Sequence, residues 1–331
     1  MTPESAAAIE QFDFRSIHPG IAFGTASDRY AGWLGQIYSE SRYDGRITTR
    51  KKNIGKKEFT ESLLPVDSVS EYFDHFSLLE IDFTFYSPLR NPDLSPARNH
   101  FVLEKYIHRL GPGDRLYVKV PQAVCARKLW RSGKWIDNPD FLNAELFGDR
   151  FYAPVNDLAG EHICGFIFEQ EYLTKQNKPM PEENTAVWAR FFAQIPSDSR
   201  YHLELRTPSL MSKDYFEMLQ SRGVGQVLSH WTWLPRLEEQ YAKAENRFFN
   251  SGKRLLIRLV TPRRMRYDET YRRAFPFDTI VDGMLDPQMI EDSVDIMEAA
   301  VQKGIQVDMI INNRAGGNAP RIAQAVATRF L

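Results

Sequence analysis

The sequence predicts an α/β fold, a single TIM-type (β/α)8 barrel with enlarged βα loops. Three observations carry that expectation. Eight short apolar runs recur along the chain, helical stripes lie between most of them, and the polar residues inside the runs share one strand parity. Strands that alternate with helices pair in parallel, and eight such units close a barrel. The competing fold is an open doubly wound sheet, whose dinucleotide-binding form carries G-x-G-x-x-G after its first strand. Here Gly24 is followed by Thr25-Ala26-Ser27, and no Walker A pattern is present.

The strand runs are Ile21–Thr25, Leu78–Phe83, Leu116–Val120, Ile163–Phe168, Tyr201–Arg206, Val224–Ser229, Leu255–Val260 and Val307–Asn312. A stripe of Val69, Phe73 and Phe76 predicts a helix before the second run. Ser95-Pro96 reads as an N-cap with proline at the first helical position, and Leu103, Ile107 and Leu110 continue to a stop at Gly111. Val187, Phe191 and Ile195, reinforced by Trp188 and Phe192, make the next helix. Asp286-Pro287 opens one through Ile290, Val294, Met297 and Val301, and Ala319-Pro320 opens the last. Trp130 to Asn156 shows no clean period.

Strand alternation sorts the polar residues by face. Barrel strands turn apolar side chains outward beneath the helices. Leu79, Ile81, Phe83 and Phe85 share that parity, so Glu80, Asp82 and Thr84 point inward. By the same test Lys119, Glu204, Arg206, Arg258 and Asn312 point inward. Most fall late in their strands, toward the carboxyl end where active sites of such barrels form. Glu80, Asp82, Lys119 and Glu204 are therefore the candidate catalytic residues, and Arg206 and Arg258 the candidate anion clamp. Neutral alternatives remain: a salt-bridged plug inside the barrel uses the same residues.

With 42 Lys plus Arg against 43 Asp plus Glu in 331 residues, the net charge is −1, which excludes a uniformly basic nucleic-acid binder. The neutral total hides an asymmetry. Residues 42–57 hold Arg42, Arg46, Arg50, Lys51, Lys52, Lys56 and Lys57 against Asp44, and residues 258–273 hold six arginines against Asp268 and Glu269. Both segments are βα loops in the expected barrel and share the face of the inward polar cluster. A basic rim of this kind focuses negative ligands. Tyr30, Trp33, Tyr38, Tyr43, Tyr267 and Tyr271 accompany it, and basic plus aromatic surface suits a nucleotide or single-stranded nucleic acid. Asn312-Asn313-Arg314-Ala315-Gly316-Gly317 precedes the last helix, where paired glycines let a backbone approach an anion at a helix N-terminus.

Two cysteines, Cys125 and Cys164, are too few for a disulfide framework and form no zinc pattern. No run approaches the ~20 apolar residues of a membrane span, and Met1 to Phe14 is not a signal peptide, so a cytoplasmic location is expected. Residues 1–19 are expected to be an N-terminal extension and 20–331 the barrel domain, with a basic insertion at about 39–65 in the first βα loop.

Five stretches resemble the YecE-like family, domain-of-unknown-function family number seventy-two. They are Gly24-Thr25-Ala26-Ser27…Tyr30-Ala31-Gly32-Trp33, Leu79-Glu80-Ile81-Asp82-Phe83-Thr84-Phe85-Tyr86, Tyr117-Val118-Lys119-Val120-Pro121, Glu204-Leu205-Arg206-Thr207-Pro208-Ser209 and the closing Asn312-Asn313…Gly316-Gly317-Asn318-Ala319-Pro320. The resemblance covers about residues 20–331 and implies a TIM-type barrel. It implies no reaction. Asp28-Arg29, Leu210 and Val260-Thr261 depart from the family pattern.

The expected function is that of an enzyme or binding protein for an anionic ligand, phosphorylated or nucleic-acid-derived, held at the carboxyl end of the barrel. Arg206, Arg258 and Lys119 would clamp the anion, and Glu204 or Glu80 would transfer protons. Asn312, Asn313, Gly316, Gly317, Tyr30, Trp33 and Tyr86 complete the expected ligand-binding set. If the protein is an enzyme, a hydrolase or lyase acting on a phosphorylated substrate is expected. No cofactor is assigned; a divalent-metal variant, not favoured, would use Asp82, Glu204 and His230. The alternatives are a non-catalytic module for nucleic acid or an anionic metabolite, and an interaction protein with a structural, salt-bridged interior. No membrane partner is expected, and the oligomeric state is open.

Overall fold

The computed structural model describes residues 9–55 and 57–331. Lys56 of the basic loop and residues 1–8 of the N-terminal extension lie outside the described residues. Eight parallel strands close a barrel, and they follow one another around the ring in chain order. They are β1 (Ile21–Ala26), β4 (Leu78–Ile81), β5 (Arg115–Lys119), β8 (Ile163–Gln170), β9 (Tyr201–Leu205), β10 (Gly225–His230), β11 (Arg254–Leu259) and β12 (Gln306–Ile311). Two antiparallel hairpins lie outside the ring: β2 (Thr48–Ile54) with β3 (Lys57–Leu63), and β6 (Lys128–Arg131) with β7 (Lys134–Asp137).

The expected parity explains the two-layered core. Outward residues such as Leu79, Ile81, Leu203, Leu205, Ile257 and Leu259 are buried together with the helix stripes of Val69, Phe73, Leu103, Trp188, Phe191 and Val294. A smaller apolar cluster of Leu78, Tyr117, Ile167, Val227, Leu256 and Ile310 fills the barrel's middle. Glycine is required where strands crowd inside. Gly165 faces the Tyr117 ring, and a β-carbon there would overlap it. Below this layer, Tyr117 donates to Asp308 at 2.7 Å, and Arg254 pairs with the same carboxylate, which closes the amino end with satisfied charges. Cys125 and Cys164 are buried free thiols.

The stretch before β1 packs on the barrel. Ile9 and Phe14 are buried, Phe14 stacks on Phe76 with centroids 4.5 Å apart, and Arg15 pairs with Asp114 at 2.9 Å. Among the described residues no helix is long and apolar enough to cross a membrane.

Three local expectations need correction. The second strand ends at Ile81, not Phe83, because residues Phe83–Tyr86 make one helical turn. Alternation stops there: Phe85 turns into the barrel mouth, and buried Thr84 donates to the Lys119 carbonyl at 2.7 Å. Ser95-Pro96 does not open a helix; the helix that follows spans Arg98–Ile107 with Ala97 at the cap, and Ser95 donates to Asp93 instead. The last helix, Ala319–Phe330, does start as expected, and Asn318 caps it by accepting from the Arg321 amide at 2.9 Å. Asp286 caps Pro287–Gln302 in the same way.

The aperiodic stretch after the third barrel strand contains the β6–β7 hairpin, followed by short helical turns from Ala144 to Ala159. The basic run after β1 is itself folded as the β2–β3 hairpin. Its cations meet acids placed across the ladder: Arg50 and Lys52 on Glu61 at 2.6 and 3.1 Å, and Lys51 on Glu58 at 3.0 Å. Cross-strand pairing thus offsets much of the charge that looks unopposed along the chain.

Candidate functional site

Side chains at the carboxyl ends of six barrel strands meet in one network. Arg258 on β11 forks onto Glu80 of β4, with Nε at 2.8 Å and Nη2 at 2.6 Å from its two oxygens. Its Nη1 also meets Glu204 of β9 and lies 3.4 Å from Glu169 of β8. Lys119 of β5 pairs with Glu169 at 2.7 Å. Arg206, just past β9, bridges Glu169 at 2.9 Å and Glu204 at 3.3 Å. Ser229 of β10 donates to Glu204 at 2.7 Å.

Three cations therefore face three carboxylates in a nearly dry space. Burial pushes Glu169 up, but Arg206, Lys119 and Arg258 outweigh it and hold its carboxyl well below the usual range. Burial likewise opposes ionisation of Glu204, and Arg258 and Arg206 reverse the balance. For Arg258 burial lowers the pKa, while Glu204, Glu80 and Glu169 carry it above its ordinary value. Five of the sequence-predicted residues (Glu80, Lys119, Glu204, Arg206 and Arg258) converge here as charges already compensated by one another. A carboxylate held this strongly ionised is a poor proton donor.

Above the network lies a cavity of about 800 Å³. Glu80, Lys119, Glu169, Arg206 and Arg258 form part of its floor, and aromatic rings wall it: Phe85, Tyr86, Trp135, Tyr172, Trp231 and Tyr267. The Lys119 ammonium sits 4.1 Å over the Phe85 ring and the Arg206 guanidinium 4.9 Å over Trp231. A second cavity of about 490 Å³ adjoins it, lined by Asp28, Arg29, Tyr30, Arg50, Lys51 and Lys52 among others. Asp82, Tyr86, Tyr267, Asn312 and Arg314 line both.

Arg314 differs from the other cations of the larger cavity. Lys119, Lys128, Arg206 and Arg258 each have a carboxylate partner, whereas Arg314 has none among the described residues. Its guanidinium lies 4.2 Å over Tyr267, and Asn312 accepts from its Nε at 3.1 Å and from its amide at 3.0 Å. Its Nη1 is buried without a partner. Asp82 is the corresponding carboxylate: it lines both cavities and has no ion pair or side-chain hydrogen bond among the described residues. In the second cavity Asp28, only 3% exposed, accepts from the Tyr106 hydroxyl at 2.9 Å, and its Oδ2 has no partner. Burial raises its carboxyl to about 6, partly offset by Arg29 and the Tyr106 hydrogen bond.

The remaining predicted ligand-binding residues separate. Tyr30 lines the second cavity and Tyr86, 69% exposed, stands at the mouth. Trp33 is fully buried; its indole donates to Asn313 Oδ1 at 3.1 Å, which also accepts the Ala319 amide at 2.8 Å. Both hold the last βα turn from behind and line neither cavity. Gly316 and Gly317 do not line the cavities either. The Gly316 carbonyl accepts from Val281, and Gly317, with φ of 114°, lies against the Thr279 carbonyl, so the paired glycines serve packing against residues 279–285. Tyr38, Tyr43 and Tyr271 are buried. His230 lies 3.6 Å from Asp286, and among the described residues no cluster of His, Cys, Asp and Glu is arranged to hold a metal ion. Asp82, Glu204 and His230 are thus not brought together.

Sequence parity missed Glu169, Arg314 and most of the aromatic wall. Glu169 follows Gly165 and Ile167 on the inward parity of β8, and extending that run two residues finds it. Arg314 stands two residues beyond inward Asn312. Nothing local marks Trp135 or Trp231, which arrive from a hairpin and a loop.

The family model for "Protein of unknown function DUF72" matches residues 22–331. Two solved structures are similar: a DUF72 family protein from Enterococcus faecalis V583, at 14% identity and TM-score 0.54 over 94% of this chain and 98% of that one, and one from Thermotoga maritima MSB8, at 14% and 0.53 over 94% and 97%. No curated protein matches the sequence. At these identities the structures establish a shared fold, and the family match over nearly the whole chain establishes that this protein belongs to the DUF72 family, the YecE-like family its motifs resemble.

Proposed function

We propose that the open end of the barrel binds a ligand that joins a flat ring to an anionic group, a nucleotide unit in its simplest form, and that Arg314 holds the anion. The observation that carries this reading is Arg314 itself, a guanidinium with a buried, unpartnered Nη1, aligned by Asn312 and Tyr267 and open to both cavities. An arginine preset in this way can pair with a phosphate without first breaking an ion pair. The aromatic wall supplies faces for the flat ring, and the cavity volume lies within the range of small-molecule sites, roughly 300–1,000 Å³.

In this reading the clamp moves from Arg206 and Arg258 to Arg314, because the first two are occupied by carboxylates. Proton transfer moves to Asp82, the unpaired carboxylate that lines the same two cavities, and the reaction class remains hydrolysis or elimination of a phosphorylated substrate. The saturation of the deeper network favours a second reading, binding without turnover, in which Asp82 only orients the ligand.

Isothermal titration of the wild type and Arg314→Ala with a nucleoside monophosphate and with its nucleoside tests the reading. The expected result is monophosphate binding that weakens about tenfold or more in the variant, in line with roughly 1.5–3 kcal/mol for a hydrogen bond to a charged group. The nucleoside should bind both proteins equally. Equal monophosphate affinity in both, or none in either, overturns it.

A further inference from the structure

The β6–β7 hairpin is anchored at its base and aromatic at its surface. Asn138 donates to the Ala123 and Ala126 carbonyls at 2.8 and 2.7 Å, and Glu171 accepts the Arg127 and Lys128 amides at 2.8 and 3.1 Å. Leu129 is buried beneath it. Trp130 and Trp135 form a directly opposed cross-strand pair, with ring centroids 5.3 Å apart, and are 58% and 63% exposed. Two indoles left this open on an anchored ribbon contribute little to packing the barrel. Trp135 lines the larger cavity and Trp130 continues the aromatic surface outward from it. Around the pair stand Arg127, Lys128, Arg131 and Lys134, with Asp137 the one acid of the hairpin.

The mouth has a second basic hairpin at its other end. Arg50, Lys51 and Lys52 of β2 line the second cavity, which meets the first at Asp82, Tyr86, Tyr267, Asn312 and Arg314. The two cavities therefore form one path between two basic hairpins, with exposed ring faces at Tyr86, Tyr267, Tyr172 and Trp135. A mononucleotide fills a fraction of such a path. A chain with a ring and a negative charge at every repeat matches all of it.

We propose that the ligand of this site is single-stranded nucleic acid, laid across both cavities, with the Trp130–Trp135 pair as a stacking platform for bases outside the barrel. The proposal rests on the nucleotide reading above and extends it from one unit to a strand. Single strands bind by this combination of a positive groove and sequence-tolerant base stacking. A neutral oligosaccharide would use the rings and leave Arg314, Arg131 and Lys134, which have no carboxylate partner among the described residues, without a counter-charge.

Fluorescence anisotropy with a labelled oligothymidylate of about twelve nucleotides, within the range of single-strand site sizes, tests it. Competition with thymidine monophosphate and with neutral cellohexaose is measured in parallel on wild type, Trp130→Ala and Arg131→Glu/Lys134→Glu. The expected result is that the oligonucleotide binds far more tightly than the monophosphate, with affinity falling as salt rises. Both variants should weaken the oligonucleotide about tenfold or more and leave the monophosphate unchanged. Oligonucleotide affinity no better than that of the monophosphate, or unchanged in both variants, overturns the strand proposal and leaves the single-nucleotide reading standing. Binding of neither overturns both, and salt-independent binding of cellohexaose in their place replaces nucleic acid with carbohydrate. Since both tryptophan rings are exposed, circular dichroism of the variants should match the wild type; the charge-reversal variant provides an independent arm that removes no ring.

Discussion

Glu169 and Glu204 stand directly opposite each other across the β8–β9 ladder, two buried carboxylates in register. Like charges so placed repel. They coexist because Arg206 bridges both, and Arg258 reaches both from across the barrel. Arg258→Met should therefore cost about 3–5 kcal/mol, the typical penalty for stranding buried partners of an ion pair. Adding Glu204→Gln should recover part of that loss, because one stranded charge is removed with its cation. Denaturant unfolding of the single and double variants measures both terms; additive losses would show that the network does not act as a unit.

Asp28 predicts a pH dependence of the opposite sign to that of the network. Its carboxyl rises from the ordinary 3.8 to about 6 in the folded protein. Between those values the unfolded chain has released the proton and the folded chain still holds it. Stability from this group is thus present below about pH 4 and is lost as pH rises through about 6. Burial is the main cause; Arg29 and the Tyr106 hydroxyl oppose it, and Asp82 adds to it. Asp28→Asn, which needs no proton, should gain about 2–3 kcal/mol relative to wild type between pH 4 and pH 7, from about 1.4 kcal/mol per pKa unit. Unfolding curves at the two pH values give the difference, and a constant offset would contradict it.

Gly317 separates a structural turn from a ligand-binding one. At φ of 114° it adopts a conformation reserved for glycine, and a β-carbon would meet the Thr279 carbonyl and the Val281 amide. Gly317→Ala should lower stability by at least about 1–3 kcal/mol from the backbone alone. Monophosphate affinity of the folded protein should be unchanged, since the glycine lines neither cavity. Thermal melts with titration below the transition test the two halves together.

Asp82 lies beside the same mouth as Arg314 with no cation of its own. Asp82→Asn removes a negative charge from the anion's surroundings and should strengthen monophosphate binding a few-fold at low salt, with the gain shrinking as screening rises. If the protein turns its ligand over, the same change should abolish turnover, because the proton acceptor is gone. Weaker binding in the variant would show that Asp82 contacts the ligand directly.

The barrel and its polar interior were legible in the chain because strand alternation is a local property. Leu79, Glu80 and Ile81 announce their faces by their order alone, and the same holds for Val118, Lys119 and Val120, or Ile257, Arg258 and Leu259. The helix start at Asp286-Pro287 was legible for a similar reason, since a cap acts on amides two or three residues away. The expectation failed where strand alternation ended, and at Ser95-Pro96, where Ser95 donates to Asp93 instead of capping a helix. Phe85 entered the mouth because the chain had turned helical after Ile81, and Trp33 and Asn313 were spent on holding a turn.

The sequence by itself determined which charged side chains of the regular strands enter the barrel, through a period of two residues that holds as long as the strand does. Only the tertiary structure decided which of their charges are free. Arg258, Arg206 and Lys119 are compensated by Glu80, Glu204 and Glu169 from other strands, and the basic run at Arg50–Lys52 by acids across a hairpin, while Arg314 finds no carboxylate among the described residues. The physical reason is range. Alternation is set by neighbouring peptide units, whereas charge compensation depends on distances of about 3 Å between residues that the chain separates by as many as 178 positions.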